Sequence, residues 1–146
     1  MILRPARLDE AALLHEIEAA AVPQPWSVGM YRDSLEQGHR SLVLEEDGEV
    51  RGFAVWMQVL EDEAELLNIV MRPHAQGRGL GRQLLRAVLE TARTAGTQRL
   101  MLEVRESNAS ARRLYLRNGF IENGIRKNYY RTATGHEHAI LMEIAL

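Results

Sequence analysis

The run Gln76-Gly77-Arg78-Gly79-Leu80-Gly81-Arg82 has the make-up of an anion-binding turn. Glycines at 77, 79 and 81 permit positive φ and close approach of a ligand to the backbone. A strongly periodic helix follows directly, so unpaired N–H groups and the positive end of a helix dipole face the turn. A phosphate or pyrophosphate is the natural guest, and Arg78 and Arg82 add charge. Three glycine-turn classes compete. The dinucleotide fingerprint G-x-G-x-x-G is broken by Arg82 and lacks its acidic ribose contact at the usual distance. A P-loop needs Gly-Lys-Ser/Thr, and no lysine stands here. An acyl-CoA pyrophosphate loop, Gln/Arg-x-x-Gly-x-Gly/Ala, fits Gln76 to Gly81 without exception. The glycine spacing and the helix behind it weigh against an ordinary flexible turn.

Two further side chains stand out. Glu103 interrupts an otherwise apolar strand, either as a sheet-edge charge paired with Arg105 or as an acid–base group. Tyr115 falls on one helix face with Asn108 and Ala111, at i, i+3 and i+7. It reads equally as packing and as a phenol aimed at a ligand. Other signals are weak. His136 and His138 share a strand face, but no third metal ligand is evident, so no metal site is expected. Asn108-Ala109-Ser110 matches a glycosylation sequon without a secretion signal. No Gly-x-Ser-x-Gly elbow occurs.

The elements that position these groups follow from periodicity. Ile2–Leu3 is a short strand. Asp9 is placed to cap a helix carrying Leu13, Leu14 and Ile17, which Pro23-Gln24-Pro25 ends. Ser27 opens a second helix reaching about Gln37. Strands are expected over Ser41–Glu45 and Val50–Val59, joined by Asp47-Gly48. Phe53, Val55, Met57 and Val59 of the second share one face. Glu65–Met71 is nearly continuous apolar sequence, the pattern of a strand buried on both faces. Asn68 within it requires hydrogen-bond partners. Leu80, Leu84, Leu85, Val88, Leu89 and Ala92 form the stripe of the clearest helix, with Gly96 as its stop. Leu100–Arg105 is a strand, Ser107 or Asn108 caps a helix ending at Asn118-Gly119, and strands around Ile121–Tyr129 and His138–Ile144 close the chain. The crossover between Glu65–Met71 and Leu100–Arg105 implies parallel pairing. The remaining short connections imply antiparallel pairing. The expected fold is a mixed, mostly antiparallel α/β sheet with helices on both faces.

The 146 residues suit a single domain spanning 1–146, with 46% hydrophobic and 26% charged residues. Residues 1–70 carry 5 basic against 14 acidic side chains, net −9, and residues 71–146 carry 13 against 6, net +7. That asymmetry suits an anionic ligand on the C-terminal half. There is no cysteine, which excludes disulfides, thiolate metal sites and a cysteine nucleophile. No signal peptide or membrane-spanning run is present, so a cytoplasmic location without a membrane partner is expected. Basic residues do not alternate with stacking aromatics, so direct nucleic-acid binding is not expected.

At the glycine turn the sequence resembles the GNAT family of acetyl-CoA-dependent N-acetyltransferases. Within the family it is similar to the RimI-like ribosomal-protein alanine N-acetyltransferases. The finer likeness rests on Pro25-Trp26-Ser27, Leu67-Asn68-Ile69, Leu102 to Ala109 with Leu114-Tyr115 and Asn118-Gly119-Phe120, and Arg126 to Tyr130 with Gly135, Glu137, Ala139, Ile140 and Met142. Gln24 and His138 depart from the common pattern. The resemblance implies a sheet with a splayed parallel strand pair at the acetyl-CoA site. Acetyl-CoA, as acetyl donor, would lie against Gln76, Gly77, Arg78, Gly79, Leu80, Gly81 and Arg82, against the main chain of Ile69, Val70 and Met71, and against Asn108. Glu103 would be the general base and Tyr115 the acid that protonates the departing thiolate. The acceptor would be the N-terminal α-amine of a protein, with an alanine N-terminus of a ribosomal protein the leading expectation. A lysine or small-amine acetyltransferase and a non-catalytic acetyl-CoA-binding module are the alternatives.

Overall fold

The computed structural model describes every residue from Met1 to Leu146. In chain order the elements are β1 (Ile2–Arg4), α1 (Ala11–Ala21), α2 (Val28–Glu36), β2 (Arg40–Glu46), β3 (Glu49–Leu60), β4 (Glu63–Met71), α3 (Leu80–Thr94), β5 (Arg99–Arg105), α4 (Ala109–Arg117), β6 (Ile121–Thr132) and β7 (Gly135–Ala145). The seven strands form one sheet in the order β1-β2-β3-β4-β5-β7-β6. β4 and β5 pair in parallel, as the long crossover through α3 requires. The β1–β2, β2–β3, β5–β7 and β6–β7 pairs are antiparallel. No helix is long and apolar enough to cross a membrane.

The chain divides into two compact units built from interleaved segments, Met1–Met57 with Leu67–Val88, and Gln58–Leu66 with Leu89–Leu146. In the first, Leu14, Ile17, Tyr31, Val43, Phe53 and Val55 are fully buried. The Tyr31 ring packs tilted on Trp26 at 5.1 Å and edge-on to Phe53 at 5.5 Å, both favourable aromatic geometries. Ser27 caps α2 as its residue type predicts, its Oγ accepting from the Met30 N–H at 3.1 Å. Asp9 does not cap α1. It lies in a 3-10 turn, Leu8–Glu10, ahead of the helix. Glu10 closes this turn instead, accepting from the Arg7 N–H at 2.7 Å and from Arg4 at 2.8 Å. β3 is buried on both faces from Gly52 to Trp56, whereas one face was expected: Phe53 and Val55 pack with Leu14, Ile17 and Tyr31 of α1 and α2, and Ala54 and Trp56 on the opposite face are buried as well. In β4 the reverse holds. Only Ala64, Leu66 and Val70 are buried, and the intervening residues are half-buried.

A polar network crosses this apolar core. Glu18, only 5% exposed, accepts from the Trp26 N–H at 2.8 Å, the Tyr31 hydroxyl at 2.7 Å and Asn68 Nδ2 at 2.7 Å. Asn68 Nδ2 also donates to the Tyr31 oxygen at 2.8 Å. The partners required for Asn68 therefore come from α1 and α2, and the network ties both helices to β4 just before Ile69. Burial and the neighbouring Glu18 charge push the Tyr31 phenol well above its ordinary range. Glu18→Ala would strand three donors, and a loss of about 3 kcal/mol in stability is expected on urea unfolding. A loss below about 0.5 kcal/mol would show that the network is not needed for the fold.

In the second unit β5 alternates as its sequence predicts, with Leu100, Leu102 and Val104 buried and Met101, Glu103 and Arg105 half-buried. Asn108 caps α4, its Oδ1 accepting from the Ala111 N–H at 3.2 Å. Tyr115 and Phe120 pack at 5.5 Å. β7 starts at Gly135, three residues before its expected start, extending a hairpin in which Thr132 pairs with Gly135. The β6–β7 ladder slips between Arg126 and Tyr130, so that Lys127, Asn128 and Tyr129 stand against His138. Asn128 adopts φ +53° there, and its N–H donates to His138 Nδ1 at 3.0 Å.

Candidate active site

In the second unit, Glu103 lies at the centre of a charged and aromatic cluster. Glu65 of β4 is in register with Met101 of β5, so Glu65, Met101 and Glu103 share one sheet face. The described β4–β5 pairing covers Glu63↔Arg99 to Leu66↔Leu102, while β4 continues to Met71 and β5 to Arg105. The partner of Glu103 is not Arg105. Arg126 Nη1 of β6 donates to its carboxylate at 2.7 Å. Arg105 is engaged elsewhere, over the Tyr130 ring at 4.3 Å and beside Glu137 at 3.7 Å. The Arg126 guanidinium also stacks on Tyr129 at 4.1 Å, and Tyr129 meets Tyr130 edge-on at 5.0 Å.

Electrostatics follow from this packing. The hydrogen bond to Glu103 raises Arg126 further above its ordinary value, so it is a permanent cation. Burial raises Glu65, the Glu103 charge adds to the shift, and Arg126 offsets part of it. Tyr130 is pushed up to about 12, chiefly by burial and then by Glu103. Tyr115 is only 6% exposed, and burial followed by the Tyr130 neighbour pushes its phenol above the ordinary tyrosine range. It therefore holds its proton throughout the neutral range. A carboxylate able to accept a proton and a protonated phenol are the two halves of general acid–base chemistry. Asn108 belongs to the same unit, with its side-chain oxygen engaged in the α4 cap.

Ile69, Val70, Met71 and Gln76 to Arg82 belong to the first unit. Val70 is buried, and Ile69 and Met71 are half-buried. A Cβ on Gly52 would collide with the Val70 carbonyl oxygen and the Met71 sulfur, so glycine there lets β3 and the end of β4 approach closely. Gln76 Nε2 donates to the Met71 carbonyl at 3.2 Å, tying the glycine turn to that strand end. Gly77 and Gly79 have φ of +78° and +77°, and a Cβ at either would meet open space. The Gln83 N–H donates to the Gly79 carbonyl at 3.1 Å. The preceding N–H groups of the α3 first turn thus have no intrahelical acceptor. An open, left-handed turn leading into these N–H groups fits a diphosphate. Leu80 is buried at the start of α3. Arg78 pairs with Glu46 at 2.9 Å and is partly neutralised, while Arg82 is exposed.

Sequence reasoning singled out Glu103 but not Glu65. The signal was the same in both, a carboxylate inside an apolar strand, between Ala64 and Leu66 in the case of Glu65.

The acetyltransferase (GNAT) family profile matches residues 11–120. A ribosomal protein bS18-alanine N-acetyltransferase from Salmonella typhimurium is 44% identical over 131 residues, covering 90% of this chain and 88% of the relative. One from Haemophilus influenzae is 45% identical, covering 88% of each chain. The crystal structure of the ribosomal-protein-S18-alanine N-acetyltransferase from Escherichia coli superposes with a TM-score of 0.92 at 36% identity, covering 99% of this chain and 92% of the other. With the family profile and these relatives spanning most of its length, the chain belongs to the GNAT family of acetyltransferases.

Proposed function

We propose that this enzyme transfers the acetyl group of acetyl-CoA to the α-amine of a protein N-terminus, with the alanine N-terminus of ribosomal protein bS18 as its acceptor. The observation that carries the proposal is the 44% identity, over 90% of the chain, to a relative named for that reaction. The Glu103–Tyr115 chemistry supports it. The chain is read as one domain spanning residues 1–146, a reading supported by the interleaved segments of its two compact units. The reaction is assigned to the cytoplasm, with no nucleic acid or membrane as direct partner.

In the proposed mechanism the N–H groups from Gly77 to Arg82 hold the diphosphate, aided by Arg78 and Arg82. Main-chain groups of Ile69, Val70 and Met71 bind the pantetheine amides and polarise the thioester carbonyl. Asn108 contacts the same donor. Glu103 takes the proton of the ammonium, whose ordinary pKa is about 7.7–8.0. The freed amine attacks the thioester carbonyl carbon directly. A C–N bond forms, the C–S bond breaks, and Tyr115 gives its proton to the departing sulfur. With no cysteine in the chain, the acetyl group passes straight to the amine.

A competition assay separates an N-terminal acceptor from a lysine. Peptides with a free alanine N-terminus are expected to be acetylated faster than the same peptides blocked there but bearing internal lysines, as read by mass spectrometry. Faster modification of the blocked peptides would replace this reading with lysine acetylation. Binding of acetyl-CoA without transfer to either would leave a non-catalytic module.

A further inference from the structure

Glu65 sits awkwardly for a structural residue. It is half-buried in the parallel β4–β5 pair, on the same face as Glu103, and neither a hydrogen bond nor an ion pair engages its carboxylate. The cation that acts on it is Arg126, already hydrogen-bonded to Glu103 at 2.7 Å. Two carboxylates thus share one guanidinium, leaving the cluster one negative charge in excess when both are ionised. Burying a carboxylate without a partner costs stability. The ordinary solution at such a position is a neutral or apolar side chain.

The environment of Arg126 indicates what the excess charge is for. Its side chain is 50% exposed and rests on Tyr129 within the slipped segment of β6. It is therefore a cation at the mouth of the cluster rather than one sealed inside it. A second monovalent cation brings the cluster to neutrality. On the reading above, the incoming acceptor is such a cation, because an α-amine arrives largely as its ammonium ion at or below neutral pH.

We propose that Glu65 is a specificity-determining residue of the acceptor site, receiving the acceptor amine as its ammonium ion beside Glu103, while Arg126 holds the Glu103 carboxylate in place. This rests on the proposed transfer to an amine with Glu103 as base. Glu65 draws the charged amine in, and Glu103 takes its proton. The groups facing Glu65 are Glu103 on β5 and Arg126 on β6. Burial and Glu103 raise Glu65 above the ordinary carboxylate value, so it ionises later than a free glutamate as pH rises. Acceptor affinity is therefore expected to go on strengthening as pH climbs above the ordinary carboxylate range.

The test is steady-state kinetics of the wild type, Glu65→Gln and Glu103→Gln with acetyl-CoA and a peptide bearing a free alanine N-terminus. Glu65→Gln is expected to raise KM for the peptide about tenfold, the effect of one charge in a half-buried site. The loss falls on KM for the peptide rather than on kcat or KM for acetyl-CoA, and the rise in peptide affinity with pH above the ordinary carboxylate range flattens. Thermal unfolding of Glu65→Gln is expected at or above the wild-type temperature, and Glu65→Asp restores part of the lost affinity. An unchanged peptide KM and pH profile in folded Glu65→Gln, with an active wild type and a crippled Glu103→Gln, would overturn the role of Glu65 alone. A wild type that acetylates no amine, or a Glu103→Gln variant as fast as wild type, would overturn the underlying reading and the Glu65 proposal with it.

Discussion

Glu103→Gln is expected to slow acetyl transfer by about 10²–10⁴-fold at saturating substrates, the usual range for loss of a general base. Glutamine keeps the size and part of the hydrogen bonding but cannot take the proton. The deficit grows as pH falls below the amine pKa of about 7.7–8.0, because more of the acceptor then needs its proton removed. The Arg126 guanidinium, which now bonds the carboxylate at 2.7 Å, keeps a carbonyl oxygen to donate to, so the fold should tolerate the change. Tyr115→Phe should act on the other half of the reaction. The phenol is buried and raised, so it is protonated wherever the enzyme works, and the alkaline fall in rate caused by its ionisation should come above the ordinary tyrosine value of about 10. A thiolate released into the same water-poor surroundings is raised as well, which preserves the drive for proton donation. Tyr115→Phe should therefore slow single-turnover transfer while acetyl-CoA affinity is retained. Wild-type rates in both variants would remove the acid–base assignment.

Gly79→Asp should abolish measurable acetyl-CoA binding in calorimetry, with a loss in affinity of about 100-fold or more. The new carboxylate would stand where a diphosphate meets the N–H groups of the α3 first turn, replacing attraction with like-charge repulsion. Gly79 has φ +77°, so any side chain adds backbone strain of about 1–2 kcal/mol. No neighbouring atom lies within 4 Å of a Cβ built there, so the fold should survive. Gly79→Ala carries the strain without the charge and serves as the control, with a much smaller loss in affinity. Equal losses in the two variants would assign the effect to backbone strain. An unchanged affinity in Gly79→Asp would remove the pyrophosphate assignment of this loop.

Much of this arrangement was legible along the chain. The apolar stripe from Leu80 to Ala92 is buried at every expected position, because a helix repeats its face every 3.6 residues whatever surrounds it. The alternation of Leu100 to Arg105, the caps Ser27 and Asn108, and the left-handed glycines 77 and 79 are likewise local properties of residue type and backbone. The Asp9 cap failed because Glu10, one residue on, has Arg4 and the Arg7 N–H to bind. Partners distant in sequence were beyond this kind of reading. Arg105, two residues away, was the natural partner for Glu103, yet Arg126 of β6 takes that place. Arg78 is shared with Glu46. Glu65 became part of the cluster only through its parallel register with Met101, and Tyr115 acquired its raised phenol only through burial near Tyr130. Sequence period decides which face a side chain occupies. Strand register and burial decide what faces it, and thereby its charge state, because Coulomb and desolvation energies depend on distance in space rather than along the chain.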